Sequence, residues 1–273
     1  FEPLTPAHIR TIVENAARRL NVALADGAAQ LISEYTIEGR KAINILADSY
    51  SLALEAAGGE AEGLRITKEA IYEVAQVSRL YQFVTKKAKP DAEEGHIFGL
   101  GVSGFLGSVI EIEAVAFPAH EAGKGTVRFN ETAGSMAKDS VFNAASVLRR
   151  LTGKDMHDYD IHINAIGGGN IDGPSAGTAI LACITSAVTG ARIRQDVAVT
   201  GEISLAGRIR PVGGVFEKAY GARQAGIRTL VIPKENETDI PNDLLGLDIH
   251  PVETAEQAFS LIFEESPIKS EEA

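Results

Sequence analysis

The stretch best suited to chemistry is the glycine-rich segment GGGNIDGPSAG at residues 167–177, between a predicted strand and a predicted helix. Its glycines permit positive φ angles and the close approach of another chain to the backbone. The following helix presents free N–H groups with a partial positive charge, so the hydroxyl of Ser175 lies where an oxyanion would be stabilised. A serine here can equally be a helix cap in a tight connection, and the spacing alone leaves both interpretations open.

A nucleophilic serine needs a base, and the histidines provide no obvious one. They are scattered without metal-motif spacing: His8, His96, His120, His157, His162 and His250. The alternative is a buried lysine, whose ordinary pKa of about 10.4 must fall for the neutral amine to act near neutral pH. Lys218 is the best candidate because it follows PVGG at 211–214 and has mostly apolar neighbours. A solvated lysine paired with Glu217 or Glu202 is the competing interpretation.

The first part of the chain, up to about Lys89, is predicted to be helical throughout. Thr5 and Pro6 form an N-cap followed by proline, and they are succeeded by an apolar stripe of helical period. A second helix is predicted from about Glu38 to the glycine pair at 58–59, and a third after Thr67. These signals predict an all-α unit.

The charged, proline-containing segment KKAKPDAEEG at 86–95 marks a domain boundary, after which strands and helices alternate. We predict strands over 98–117, 126–129, 159–166, 197–200, 202–205, 208–211, 229–232 and 248–252, and helices over 136–151, 175–188, 215–225 and 254–264, with a hairpin turn at 121–125. The fold class is therefore mixed, α+β or α/β, with a helical N-terminal bundle. The predicted domains are residues 1–90 and 91–265, followed by a flexible tail at 266–273.

Composition narrows the class of function. The 26 Lys and Arg residues against 37 Asp and Glu give a net charge of −11, which argues against a nucleic-acid partner. Cys183 is the single cysteine, so an intramolecular disulfide or multi-cysteine metal site cannot form, and we expect no metal. The longest apolar stretch, 176–188, is shorter than the roughly 20 residues that span a bilayer. With no secretory signal visible, we expect a cytoplasmic protein without a membrane segment.

Three blocks of this sequence identify a family. DGPSAG at 172–177, TGEISL at 200–205 and GGVFEK at 213–218 resemble, in order and spacing, the signatures of the Lon protease proteolytic domain. The resemblance extends from about Gly95 to Phe263. Because the chain begins with Phe, we expect a C-terminal fragment of a Lon-type protease, also called endopeptidase La-like.

The resemblance implies a role for each matched residue. Ser175 would be the nucleophile and Lys218 the general base of a Ser-Lys dyad, without a metal. Thr200 would hydrogen-bond the lysine, and Asp172 would be the acidic residue beside the active site, next to Gly173. His162 falls near the first histidine of the family's His-x-His strand.

Two departures from the family's pattern indicate a branch. Asn164 replaces the second histidine of that strand, and Asn170 occupies a position where many members have proline. Both residues favour a resemblance to the B-type bacterial branch of the family.

The helical part is similar to the small α-subdomain of an AAA+ ATPase module. EYTIEGR at 34–40 resembles the segment that carries the sensor-2 arginine, so Arg40 would contact nucleotide phosphates. No G-x-x-x-x-G-K-[ST] motif occurs, so this chain is not expected to hydrolyse ATP unaided. The resemblance implies ATP with Mg for the full-length protein, a homo-hexameric ring and polypeptide substrates.

Three other functions fit parts of the same pattern. GPSAG at 173–177 fits a G-x-S-x-G nucleophile elbow of an esterase, with Asp239 or Asp248 and His250 completing a triad. The glycine-rich loop also suits a phosphate cradle, as in small-molecule kinases with a similar loop. A non-catalytic assembly module would leave the lysine and threonine blocks without an explanation.

Overall fold

The computed structural model describes residues 4–80, 87–103, 106–130, 134–166, 173–240 and 246–268. The chain forms two compact units, Phe1–Thr85 and Lys86–Ala273. Each unit has its own buried core.

The first unit is a helical bundle with one small strand pair. Its elements are α1 Pro6–Arg19, β1 Ala23–Leu24, α2 Ala28–Tyr35, α3 Gly39–Ala56, β2 Arg65–Ile66 and α4 Lys68–Val77. Caps define two of the helix starts, since Thr5 Oγ1 accepts from the amide of His8 at 3.1 Å and Thr67 Oγ1 accepts from Ala70 at 3.3 Å. The all-α prediction misses the parallel pair of β1 and β2, which is too short to show a periodicity.

The second unit contains a central sheet of seven strands. The strands of the whole unit, in chain order, are β3 Glu93–Glu94, β4 His96–Ser103, β5 Leu106–Pro118, β6 Val127–Phe129, β7 Tyr159–Ile166, β8 Arg192–Ile193, β9 Val197–Val199, β10 Glu202–Ile203, β11 Ile209–Arg210, β12 Thr229–Pro233 and β13 Asp248–Val252. The order across the sheet is β13-β12-β9-β4-β5-β7-β6, while β3 pairs with β8 and β10 pairs with β11. The mixed α/β class predicted from the sequence is confirmed.

Helices cover both faces of this sheet. The helices are α5 Ser135–Thr152, α6 Gly177–Thr189, α7 Val215–Gln224 and α8 Ala255–Ile262. Residues of α5, α6 and α8 share one apolar core with Ile97 and Ile112, whereas α7 packs on the other face against Phe98 and Val109. Successive strand residues therefore point to opposite cores, as the pleat requires.

Two predicted strand arrangements are wrong. The single alternating run at 98–117 is an antiparallel pair, in which Phe98 of β4 faces Glu111 of β5. The turn at 121–125 does not close a hairpin, because β7 lies between β5 and β6. It pairs with β5 along one edge and, in parallel, with β6 along the other. Alternation within a run reports which face a side chain occupies but not which strand lies beside it.

Candidate active site

Ser175 lies in a short 3-10 turn, Pro174–Ala176, immediately before α6. Its residue is half-buried, and its main chain is held firmly by the segment that follows β9. The carbonyl oxygen of Ser175 accepts a hydrogen bond from the amide of Gly201 at 2.9 Å and another from Thr200 Oγ1 at 3.3 Å. These two bonds fix the backbone that carries the hydroxyl.

Lys218 lies in the first turn of α7, which follows Gly214 in the left-handed conformation at φ 67°. Only 3% of its surface is exposed, so its ammonium form is poorly solvated. Burial lowers the pKa of Lys218 from 10.5 to about 8, because a low-dielectric environment disfavours the charged form. A substantial fraction of this amine is therefore neutral near pH 8.

Thr200 connects the lysine to the serine segment. It lies directly after β9, is fully buried, and donates its amide to the carbonyl of Val231 at 3.1 Å. Lys218 Nζ donates to Thr200 Oγ1 at 3.1 Å, while that hydroxyl gives its own hydrogen to Ser175 O. Because the threonine hydrogen is committed, the lysine must be the donor in their bond, which leaves the lone pair of the neutral amine free.

Ser175 and Lys218 line one cavity of about 380 Å³. The other described residues that line it are Val102, Pro174, Pro211, Val212 and Gly213. Among the hydrogen bonds between described residues, none joins the Ser175 hydroxyl directly to the Lys218 amine. The two groups share a cavity, and Thr200 bridges the lysine to the serine main chain.

The first amide groups of α6 already have acceptors. The amide of Gly177 donates to Pro174 O, and that of Thr178 donates to Gly201 O at 3.0 Å. Gly173 precedes this turn with extended backbone, and a Cβ atom at Gly173 would meet no heavy atom of the described residues within 4 Å. No described residue therefore fills the space beside Gly173.

The sequence also predicted site roles for His162, Asp172 and Arg40. His162 lies exposed on β7, with its ring centroid 6.5 Å from that of Phe117. Asp172 and the glycine-rich segment 167–172 lie outside the described residues. Arg40 is exposed in the first turn of α3, in the helical unit.

The residues of the alternative esterase triad form a separate group. His250 Nε2 lies 2.8 Å from Asp248 Oδ2, but both are on β13, and 72% of the Asp248 side chain is exposed. Asp239 instead accepts a hydrogen bond from Asn236 at 2.6 Å. None of these three residues lines the cavity that holds Ser175.

Sequence reasoning missed several residues around the site. Val102 lines the cavity from the end of β4, and Gly201 supplies the amide that holds Ser175 O. Gly107 and Gly221 bring β5 and α7 into backbone contact beside Lys218. A glycine at a close backbone contact is usually recognised because it is conserved among homologues, and one sequence alone does not show conservation.

Three further observations concern a reactive thiol, a metal site and a membrane span. Cys183 is fully buried, burial raises the pKa of its thiol, and its Sγ donates to Gly95 O at 3.1 Å. Within the described ranges, no group of three or more His, Cys, Asp and Glu side chains is arranged to hold a metal ion. None of the helices described combines the length and apolar character of a bilayer-spanning segment.

Sequence comparison defines the class of protein. Residues 65–265 match the family described as Lon protease (S16) C-terminal proteolytic domain, a domain of peptidases. The chain belongs to the Lon protease family.

Curated relatives agree with this assignment. The chain is 34% identical to Lon protease 2 of Bacillus subtilis (strain 168), over 98% of this chain and 50% of that protein. It is 36% identical to an archaeal Lon protease of Thermococcus kodakarensis, over 66% of this chain and 29% of the relative. With the Lon protease of Escherichia coli (strain K12), identity is 35% over 66% of this chain and 24% of that protein. The chain spans half or less of the length of each of these relatives.

Proposed function

We propose that this chain is the proteolytic part of a Lon-type protease and cleaves peptide bonds with Ser175 as nucleophile and Lys218 as general base. The observation that carries the proposal is the buried Lys218 amine, whose pKa is lowered to about 8 and whose hydrogen bond ends on Thr200. A lysine prepared in this way can be neutral and basic near the working pH, as a serine nucleophile requires. Membership of the Lon protease family supports the same assignment.

The reaction proceeds in two halves. The neutral amine of Lys218 takes the hydroxyl proton of Ser175 as its Oγ bonds to the peptide carbonyl carbon, which becomes tetrahedral. The lysine ammonium then gives that proton to the leaving amine as the C–N bond breaks, and an acyl-enzyme ester remains. A water molecule attacks this ester, Lys218 takes the water proton, and the proton passes to Ser175 Oγ as the ester bond breaks.

The tetrahedral oxyanion needs preorganised N–H donors. The amides of Gly177 and Thr178 are already bonded within the protein. We therefore assign the donors to backbone N–H groups that precede Gly177. Gly173, beside which no described side chain fills the space, leaves room for the substrate main chain next to Ser175.

Thr200 orients the base. Since its hydroxyl donates to Ser175 O and accepts from Lys218, it holds the amine while sparing the lone pair. Asp172 stays a predicted supporting residue beside the nucleophile. We give His162 no part in the proton transfers, because it is exposed on β7.

For the whole protein we propose unfolded or regulatory polypeptides as substrates and coupling to ATP with Mg in the cytoplasm. A homo-hexamer and a nucleotide-sensing role for Arg40 belong to the same proposal, which the AAA+ resemblance of the helical unit supports. Sedimentation of the chain tests the oligomer, and a species that stays monomeric at all concentrations would remove support for it.

The dyad is tested by replacing its base. Lys218→Met should abolish cleavage of a casein-like substrate, because it removes the proposed general base for the Ser175 hydroxyl. Lys154→Met is the matched control, since Lys154 is a half-buried lysine that donates to Val188 O at 2.9 Å, away from the cavity. His250→Gln should also remain active, whereas an esterase triad would lose its base. Retained cleavage by the folded Lys218→Met variant would contradict the dyad.

A further inference from the structure

Two glycines face each other where α7, which carries Lys218, meets strand β5. A Cβ atom on Gly107 of β5 would overlap the carbonyl oxygen of Glu217 and lie 2.8 Å from the amide nitrogen of Lys218. A Cβ atom on Gly221 of α7 would overlap the carbonyl oxygen of Gly107 and lie 3.0 Å from the amide nitrogen of Ser108. A side chain at either position would therefore push the helix away from the strand.

The contact joins backbone to backbone, so a change of side-chain rotamer cannot relieve such an overlap. Glu217 and Gly221 are four residues apart and lie on one face of α7, against the same strand residue, Gly107. Lys218 follows Glu217 directly. The backbone of β5 therefore sets how close the Lys218 main chain comes to the sheet.

The acceptor of the lysine amine is fixed from a different element. Thr200 is held after β9 by its amide bond to Val231 O and by the bond of its hydroxyl to Ser175 O. The 3.1 Å separation of Lys218 Nζ and Thr200 Oγ1 thus depends on the spacing between α7 and the sheet. Close-packed interiors transmit a displacement of this kind because they have little free volume to absorb it.

We propose that Gly107 and Gly221 are positioning residues for Lys218, and that their backbone contact holds the lysine amine within hydrogen-bond distance of Thr200. This inference rests on the proposed function, since it assigns the contact a role in that reaction. Because glycine has no side chain, both residues would act on Lys218 through the backbone contact alone.

The test compares Gly107→Ala and Gly221→Ala with Gly99→Ala. Gly99 lies on the adjacent strand β4, where a Cβ atom would meet the side-chain tip of Ile112 at 3.2 Å, on the face away from α7. The two contact variants should lose about 100-fold in kcat with little change in KM, as a misplacement of about 1 Å can cause. Their pH–rate midpoint should rise as the amine becomes more solvated. Gly99→Ala should keep the original rate and midpoint.

A double-mutant cycle separates positioning from loss of stability. Thr200→Val removes the acceptor of the lysine bond, so adding Gly221→Ala should then lower kcat much less than it does alone. Effects that multiply independently would overturn the inference. So would folded contact variants, checked by circular dichroism and melting, that retain both kcat and the pH midpoint.

The remaining outcomes are also decisive. If neither contact variant folds even at low temperature, the glycines serve the fold alone and the positioning role is overturned. If the unsubstituted chain cleaves no peptide, or Ser175→Ala cleaves as well as it does, the proposed function fails. An active, Ser175-dependent chain with unaffected contact variants defeats only the positioning inference.

Discussion

At the scale of single residues, Lys218, the proposed base, also lowers the free energy of unfolding when its buried amine is charged. Its pKa is about 8 in the folded chain against an ordinary 10.5, because burial disfavours the ammonium form. Between these two values the unfolded chain binds more protons than the folded chain, so stability rises with pH there. Below pH 8 the cost of the buried charge is fully present, and above 10.5 it is absent.

Lys218→Met should therefore stabilise the chain more at pH 7 than at pH 10, since methionine fills similar space without a charge. Its gain in free energy of unfolding over the original chain should be larger at pH 7 by at most about 3 kcal/mol. Urea unfolding at both pH values measures this difference. Lys154→Met is the control, and a Lys218→Met difference that stays constant with pH would contradict the buried-cation account.

At the scale of elements, the segment before β4 is tied to both α7 and β5. The amide of Lys87 donates to Ala225 O at 2.9 Å, at the end of α7, and its Nζ lies 2.9 Å from Glu111 Oε1 of β5. Lys87 Nζ also donates to Val109 O at 3.2 Å. This segment therefore braces the helix that carries the proposed base against the strand beneath it.

Glu111→Gln should weaken this brace in a pH-dependent way. Burial raises the pKa of Glu111, but hydrogen bonds and charge from Lys87 and His96 outweigh it, so the net pKa is lowered. A carboxylate with a lowered pKa stabilises the fold above its ordinary pKa, and that contribution is lost as pH falls. Melting should show a deficit for Glu111→Gln at pH 7 that narrows toward pH 4.

Glu121→Gln serves as the control for this change. Glu121 pairs with Lys124 on an exposed turn, where such pairs contribute about 0–1 kcal/mol. A Glu111→Gln deficit no larger than that of Glu121→Gln, or one that does not narrow at low pH, would contradict the bracing role.

The sequence predicted some of these elements better than others. The strand at Tyr159–Ile166 is confirmed to the residue, because buried and exposed side chains alternate along it between clear breaks. The parallel pairing of β6 with β7 was not predictable, since strand partners are chosen by tertiary contacts rather than by local pattern.

The same limit applies to the site. The family resemblance already implied a hydrogen bond between Thr200 and Lys218, but only the fold shows that the same hydroxyl also donates to Ser175 O. The contact of Gly107 with Gly221 left no local signal, because the two residues lie on distant elements that only packing brings together.

At the scale of the whole molecule, the chain consists of a helical unit and a mixed α/β unit that contains Ser175 and Lys218. It spans half the length of Lon protease 2 of Bacillus subtilis. The net charge of −11 therefore describes the surface of these two units alone. Peptide cleavage is proposed for the second unit, and energy coupling for the longer protein.

If Lys218 activates Ser175, the serine should react with an electrophile only when the lysine is present and neutral. The chain is treated with a fluorophosphonate across a pH series, and the modified peptide is identified by mass spectrometry. We predict modification at Ser175, a rate that rises with a midpoint near pH 8, and loss of that reaction in Lys218→Met. An unmodified Ser175, or equal labelling of the Lys218→Met variant, would contradict the account.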